Sequence, residues 1–190
     1  MSLKRYRLLD CGILLLIMAL LEGLIAFGRG LYPGEAYMLS TVLPVTLIVI
    51  MRWGMWGLIH GIVGGVLYAF LYGGGRGAAV YGLGNLGICL GAVFLLKTGK
   101  EKVRGDVLFT IIYCVLGWLG TGLGKSISSM IASGYGFMDM ARLHLAVEAF
   151  NGAAAIIIVL IARKQNGVFE DQPAFLARTA EEEKRKKGEA

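Results

Sequence analysis

The chain has 190 residues, 56% of them hydrophobic and 17% charged, where a soluble domain carries about 25% charged residues. So few charges cannot cover a water-facing surface, and those present cluster between long apolar runs, a pattern that needs lipid as solvent. These features exclude an ordinary soluble enzyme, and no nucleic-acid partner is expected.

The chain opens on a basic start, Lys4, Arg5 and Arg7, followed by an apolar run from Leu8 to Phe27. The run is about 20 residues long with no A-x-A-like cleavage site after a short apolar core, so a retained first span is expected rather than a signal peptide. Five more apolar runs follow, giving spans at 8–28, 36–51, 54–73, 77–97, 106–133 and 141–163. A hydrocarbon core of about 30 Å needs about 20 helical residues. The second run, which contains Pro44, is short for that purpose: either it crosses a thin region or its flanking loop dips into the protein. Gly73-Gly74-Gly75-Arg76-Gly77 separates the third and fourth spans, and Gly134-Tyr135-Gly136 follows the fifth; both are helix breakers. The predicted fold is an all-α integral membrane protein of six transmembrane helices, with residues 1–164 as the membrane domain and 165–190 as a charged cytoplasmic tail. In that tail Glu181, Glu182 and Glu183 each stand four residues before Arg185, Lys186 and Lys187, which predicts a solvated, partly helical segment.

Basic residues set the expected orientation. With the N-terminus in the cytoplasm, six spans return the C-terminus there. Fifteen of the 19 Lys and Arg residues then lie inside, three (Arg29, Arg76, Arg142) lie outside and Lys125 lies within a span.

Ionisable residues within spans are costly and point to function. Glu22, Lys125, His144, Glu148 and Asn151, with Tyr81 and Asn85, all fall in the outer half of the membrane under this topology. His144, Glu148 and Asn151 are four and three residues apart and share a helical face; so do Thr121, Lys125 and Ser129, and Tyr81 with Asn85. Three polar stripes at one depth predict an outward-opening cavity lined by the fourth, fifth and sixth helices and closed by the first outer loop, which brings Arg29, Tyr32, Glu35 and Tyr37. The bland reading is structural: Lys125 and Glu148 neutralise each other and Asn151 bonds across a helix interface.

Elsewhere the polar and small residues read as packing. His60 fits an interhelical hydrogen bond, and Cys11, Cys89 and Cys114 fit small apolar positions with no metal or disulfide role. Ala19 and Gly23 in the first span, and Gly57, Gly61 and Gly65 in the third, form small-x-x-x-small patterns that admit a close helix backbone. Gly82-Leu83-Gly84-Asn85-Leu86-Gly87 has G-x-G-x-x-G spacing, but within a membrane span it reads as close helix packing. No phosphate-binding G-x-x-x-x-G-K-[ST], H-E-x-x-H or G-x-S-x-G occurs. No cofactor, metal or enzymatic activity is expected.

These residues resemble a family, the substrate-binding S component of energy-coupling factor (ECF) vitamin transporters, across roughly residues 8 to 164. Leu39-Ser40-Thr41-Val42-Leu43-Pro44 through Arg52-Trp53-Gly54-Met55-Trp56-Gly57, then Gly61-Ile62-Val63-Gly64-Gly65, is similar to that family's second-to-third helix region. Ala19-x-x-x-Gly23 resembles the A-x-x-x-A motif of its first helix. Ala146-Val147-Glu148-Ala149-Phe150-Asn151-Gly152 resembles the sixth helix of thiamine-type members, where an Asn-Gly pair lies by the ligand. The resemblance implies an S-component-like bundle whose Ala19 and Gly23 face a coupling transmembrane subunit. Two ATPase subunits would supply the energy, and the S component would topple to carry a vitamin-like molecule inward. Thiamine-type members place a carboxylate on the fourth helix, where this chain reads Val80-Tyr81-Gly82. With Arg29, Arg76, Lys125 and Arg142 on the outer side, an anionic or neutral polar ligand is expected. The expected substrate-binding residues are Arg29, Glu35, Tyr37, Tyr81, Asn85, Lys125, Ser129, His144, Glu148 and Asn151. The rivals are a self-sufficient transporter or channel, a membrane enzyme using Glu22, His144 and Glu148, and a purely structural or accessory protein.

Overall fold

A computed structural model describes residues 2–31, 39–75 and 77–187. Those residues form helices and turns, with no strand among them. The helices are α1 (Leu3–Leu31), α2 (Val42–Trp53), α3 (Gly57–Gly73), α4 (Ala78–Gly84), α5 (Cys89–Thr98), α6 (Lys100–Gly105), α7 (Val107–Ser133), α8 (Phe137–Arg163) and α9 (Gln172–Lys187). Five helical stretches are long and apolar enough to cross a membrane: Leu3–Leu31, Val42–Gly73, Ala78–Thr98, Val107–Ser133 and Phe137–Arg163.

The second stretch is not one rod. Gly54 takes φ +65°, a left-handed conformation that glycine adopts without steric cost, and the chain reverses there. α2 and α3 then run antiparallel, with Gly57 against the backbone of Ile50, Gly61 facing Thr46, and Gly64 against Val42. The predicted second span over 36–51 is thus a helix over Val42–Trp53 among the described residues. Its 12 residues rise about 18 Å, and every one is buried. Pro44 sits in its first turn, where a backbone N–H would have no intrahelical acceptor, so the missing donor costs little.

α2 is the axis of the bundle. On one side Leu47, Ile50 and Met51 join Ile88, Leu95, Tyr113, Ala155 and Val159 in the main core; on the other, Val42, Val45, Val49 and Trp53 pack with Met18 of α1. Outward-facing side chains are largely apolar, as lipid requires: Leu24, Phe27, Leu96, Ile131 and Ile157 are each exposed.

The predicted fourth span at 77–97 breaks into α4, a 3-10 turn over Asn85–Ile88, and α5. The cause lies in α7. A Cβ on Gly87 would fall on the carbonyl of Gly120, one on Gly120 on the carbonyl of Gly87, and one on Gly124 on the carbonyl of Gly84. Two backbones meet along this seam with no side chain between them, the close packing expected of the Gly82–Gly87 string.

The first turns of α1 and the segment after α8 lie at the same end of the bundle. Arg52 bonds Asp10 of α1 at 2.6 Å and also donates to the carbonyls of Gly167 and Val168. Arg163 donates to the carbonyls of Arg104 and Gly105, and Arg7 lies over the Trp56 ring. The packed core continues past residue 164: Phe169 is fully buried against Tyr113, and Gln172 is buried at the start of α9. At the opposite end Arg29 lies over the Tyr72 ring.

Candidate ligand-binding site

The site is assembled where α7 and α8 run antiparallel beside the start of α2. Gly84 lies against the backbone of Lys125, so the glycine seam sets how far α7 stands from α4 and where the lysine emerges. Lys125 Nζ donates to Glu148 Oε1 at 2.5 Å, and both side chains are buried, 7% and 8% exposed. Asn151 Nδ2 donates to Glu148 Oε2 at 3.0 Å, one helical turn along α8. Asn151 Oδ1 in turn accepts the backbone N–H of Ser40 at 2.8 Å.

The chain of bonds continues into α1. Glu22 Oε1 accepts from the Ser40 hydroxyl at 3.0 Å, the Thr41 hydroxyl at 2.8 Å and the Thr41 N–H at 2.5 Å. Glu22 is fully buried, and its position has a physical reason: it faces the N-terminus of α2, where backbone donors lack intrahelical partners and the helix dipole favours an anion. Lys125, Glu148, Asn151, Ser40, Thr41 and Glu22 form one hydrogen-bonded line through α7, α8, α2 and α1. An unpaired ion in such surroundings would cost several kcal/mol; Lys125 and Glu148 offset that cost for each other. Glu22 has its Oε1 bonded three times, but among the described residues it has no ion-pair partner and its Oε2 has no partner.

Against this line lies a cavity of about 20 Å³, room for one water molecule. Ser40, Tyr68, Tyr81, Lys125, Glu148 and Asn151 contribute to its wall. The Lys125 ammonium stands 5.1 Å from the centroid of Tyr81 and 5.8 Å from that of Tyr68, within cation–π range, and the two rings are 5.0 Å apart. Two further wall residues, Asn85 and Thr46, carry buried oxygens with no partner among the described residues: Asn85 donates its amide to the Gly61 carbonyl at 2.9 Å and leaves Oδ1 unbonded, and Thr46 Oγ1 is unbonded. The site is neutral across its ion pair and offers unpartnered oxygens to a donor.

No protein-family model, curated protein or solved structure matches this chain. Its own geometry therefore carries the functional reading.

Of the residues expected to bind substrate, Tyr81, Asn85, Lys125, Glu148 and Asn151 all line this cavity. Ser129 and His144 lie one turn away and bond each other, Oγ to Nε2, at 2.7 Å; the imidazole meets the edge of Tyr81 with centroids 6.4 Å apart. No carboxylate bonds Nδ1 of His144 among the described residues. Arg29 stands apart over Tyr72, its guanidinium carbon 5.6 Å from the ring centroid. Glu35 and Tyr37, with Tyr32 and Arg76, lie outside the described residues. Ala19 and Gly23 are half-buried on a flank of α1, and Gly23 faces open space where a Cβ would project.

Ser40, Thr41, Thr46 and Tyr68 join the site without having been singled out as ligand contacts. Ser40-Thr41 before an apolar run is a helix-start signal, and such a signal marks where backbone donors gather. Tyr68 carried no signal beyond being an aromatic residue within a span. His60 bonds the Cys11 carbonyl at 2.8 Å, the interhelical role expected of it. No group of three or more His, Cys, Asp or Glu side chains among the described residues is arranged to hold a metal.

Proposed function

We propose that this protein is the substrate-capture membrane subunit of an ECF-type importer. In this reading the chain crosses the cell membrane six times with both termini cytoplasmic, and α2 and α3 count as separate crossings. It takes a vitamin-like small molecule from the outer face into the space beside Lys125, Glu148 and Asn151, where the bundle must open well beyond the single-water cavity it holds here. A coupling transmembrane subunit, docked on the Ala19 and Gly23 flank of α1, and two ATPase subunits then drive delivery.

The observation that supports this most is the continuous polar line from Lys125 to Glu22 within an otherwise apolar bundle, four members of which, Ser40, Lys125, Glu148 and Asn151, wall a small cavity. The Lys125–Glu148 pair and the Asn151 bond across to Ser40 are also the contacts a purely structural role would make, and a channel needs a path through the bundle. The pairing also narrows the ligand. Lys125 already has its counter-ion, so an anion would have to compete with Glu148 or leave it unpaired. A neutral polar molecule bearing N–H or O–H donors leaves the pair intact and satisfies Asn85 Oδ1 and Thr46 Oγ1.

The test is co-purification of the tagged protein with an ECF module from its own host. Recovery of the coupling subunit and both ATPases, lost on Gly23→Trp and on Ala19→Trp, is the expected result. A folded protein that recovers none of them, yet moves substrate into vesicles without ATP, would instead be a self-sufficient transporter.

A further inference from the structure

A second cavity lies at the bundle end that holds the first turns of α1 and the segment after α8. It is a cleft of about 620 Å³ bordered by α6, the last turn of α8 and the start of α9. Five cationic side chains line it (Lys100, Arg104, Arg163, Lys164, Arg178) against three acidic ones, an excess of two positive charges. The acids are largely used internally: Lys100 pairs with Asp171 at 2.5 Å, and Glu170 receives Arg104 at 2.5 Å and Arg178 at 3.0 Å. Arg163 is held by the carbonyls of Arg104 and Gly105, which fixes its guanidinium in the wall. Lys164 is exposed and has no ion-pair partner among the described residues.

What lies beside the cleft decides what it suits. Ile157, Ile161 and Lys164 follow one another at spacings of four and three, so they share one face of α8; the two isoleucines are 61% and 59% exposed. Val93 and Leu96 of α5, three residues apart, are also exposed, 43% and 69%, ahead of the break at Gly99. Val107 and Leu108 are exposed at the foot of α7. The apolar stripe of α8, facing outward from the bundle, thus ends in a cation at the mouth of the cleft. A soluble anion would use the cations alone. A phospholipid would use both surfaces, with its acyl chains along the isoleucine stripe and its phosphate among the cations.

We propose that this cleft is a headgroup site for an anionic phospholipid, with Lys164 and Arg163 as the groups that meet its phosphate. The site is distinct from the cavity at Lys125 and does not depend on the transport reading. Attraction of a juxtamembrane cation to an anionic lipid amounts to about fivefold in affinity for each Lys or Arg.

Native mass spectrometry of the full-length protein in micelles doped equally with phosphatidylglycerol and phosphatidylcholine tests this. Wild type is expected to retain phosphatidylglycerol preferentially. Lys164→Gln, a change at an exposed side chain, is expected to lower that retention about fivefold, whereas Lys4→Gln at the same bundle end is expected to leave it unchanged. Arg163→Gln serves as a second variant, read only if its unfolding temperature matches wild type. Equal retention of both lipids, or retention unaltered by Lys164→Gln, would overturn the proposal. Displacement of the lipid by millimolar inorganic phosphate would also overturn it, reassigning the cleft to a soluble anion.

Discussion

Lys125 and Glu148 are nearly sealed from solvent, 2.5 Å apart, on neighbouring helices, and each has little else of opposite charge in reach. Removing one partner strands the other. Lys125→Met is therefore expected to destabilise the protein by about 3–5 kcal/mol, and the double variant Lys125→Met/Glu148→Leu to recover most of that loss. Thermal unfolding in detergent reads both. A double variant no more stable than the single one would mean that the pair does more than neutralise itself. The same double variant is expected to lose ligand binding, which separates stability from function at one pair of residues. Spacing alone had put these residues on facing stripes, since residues four apart share a helix face. Their partners were not legible: Ser40 and Asn151 are 111 residues apart, and no local pattern shows which stripe a backbone N–H will meet.

At the scale of helices, some glycines touch another backbone, some meet only side chains and some touch nothing. Gly87 and Gly120 oppose each other across the seam between the Asn85–Ile88 turn and α7, whereas Gly23 on α1 faces open space. Alanine should therefore have opposite effects. Gly87→Ala is expected to force the helices apart and cost about 1–3 kcal/mol, while Gly23→Ala is expected to gain up to about 1 kcal/mol of helix propensity. Unfolding midpoints of the two variants against wild type provide the comparison, and two shifts of the same sign would contradict it. The apolar runs marked most helices because length and hydropathy are properties of each segment. The break at Asn85–Ile88 was hidden, because its cause is the glycine pattern of another helix some thirty residues on. The burial of all 12 residues of α2 was equally hidden, since an apolar helix facing lipid and one facing protein have the same composition.

Across the whole molecule, charge and apolarity are sorted by end and by depth. Cations gather at one end, the polar line lies nearer the other, and the lateral surface is apolar. α1 belongs to this arrangement loosely: only Met18 and Glu22 along it are buried, so its hold on the bundle comes from one stripe and a few polar contacts. One of those contacts reaches unexpectedly far. Arg52 is a planar fork, binding Asp10 along one edge and the Gly167 and Val168 carbonyls along another. A single guanidinium thus acts as a rivet through the first helix and the segment after the eighth, and loosening either side should be felt on the other. Truncation after residue 164 is expected to speed amide hydrogen exchange in the first turns of α1, although nothing in that helix has been removed. Unchanged exchange there would show that the two sides are held independently; a rise would make the N-terminal helix a reporter of whether the distant tail is seated.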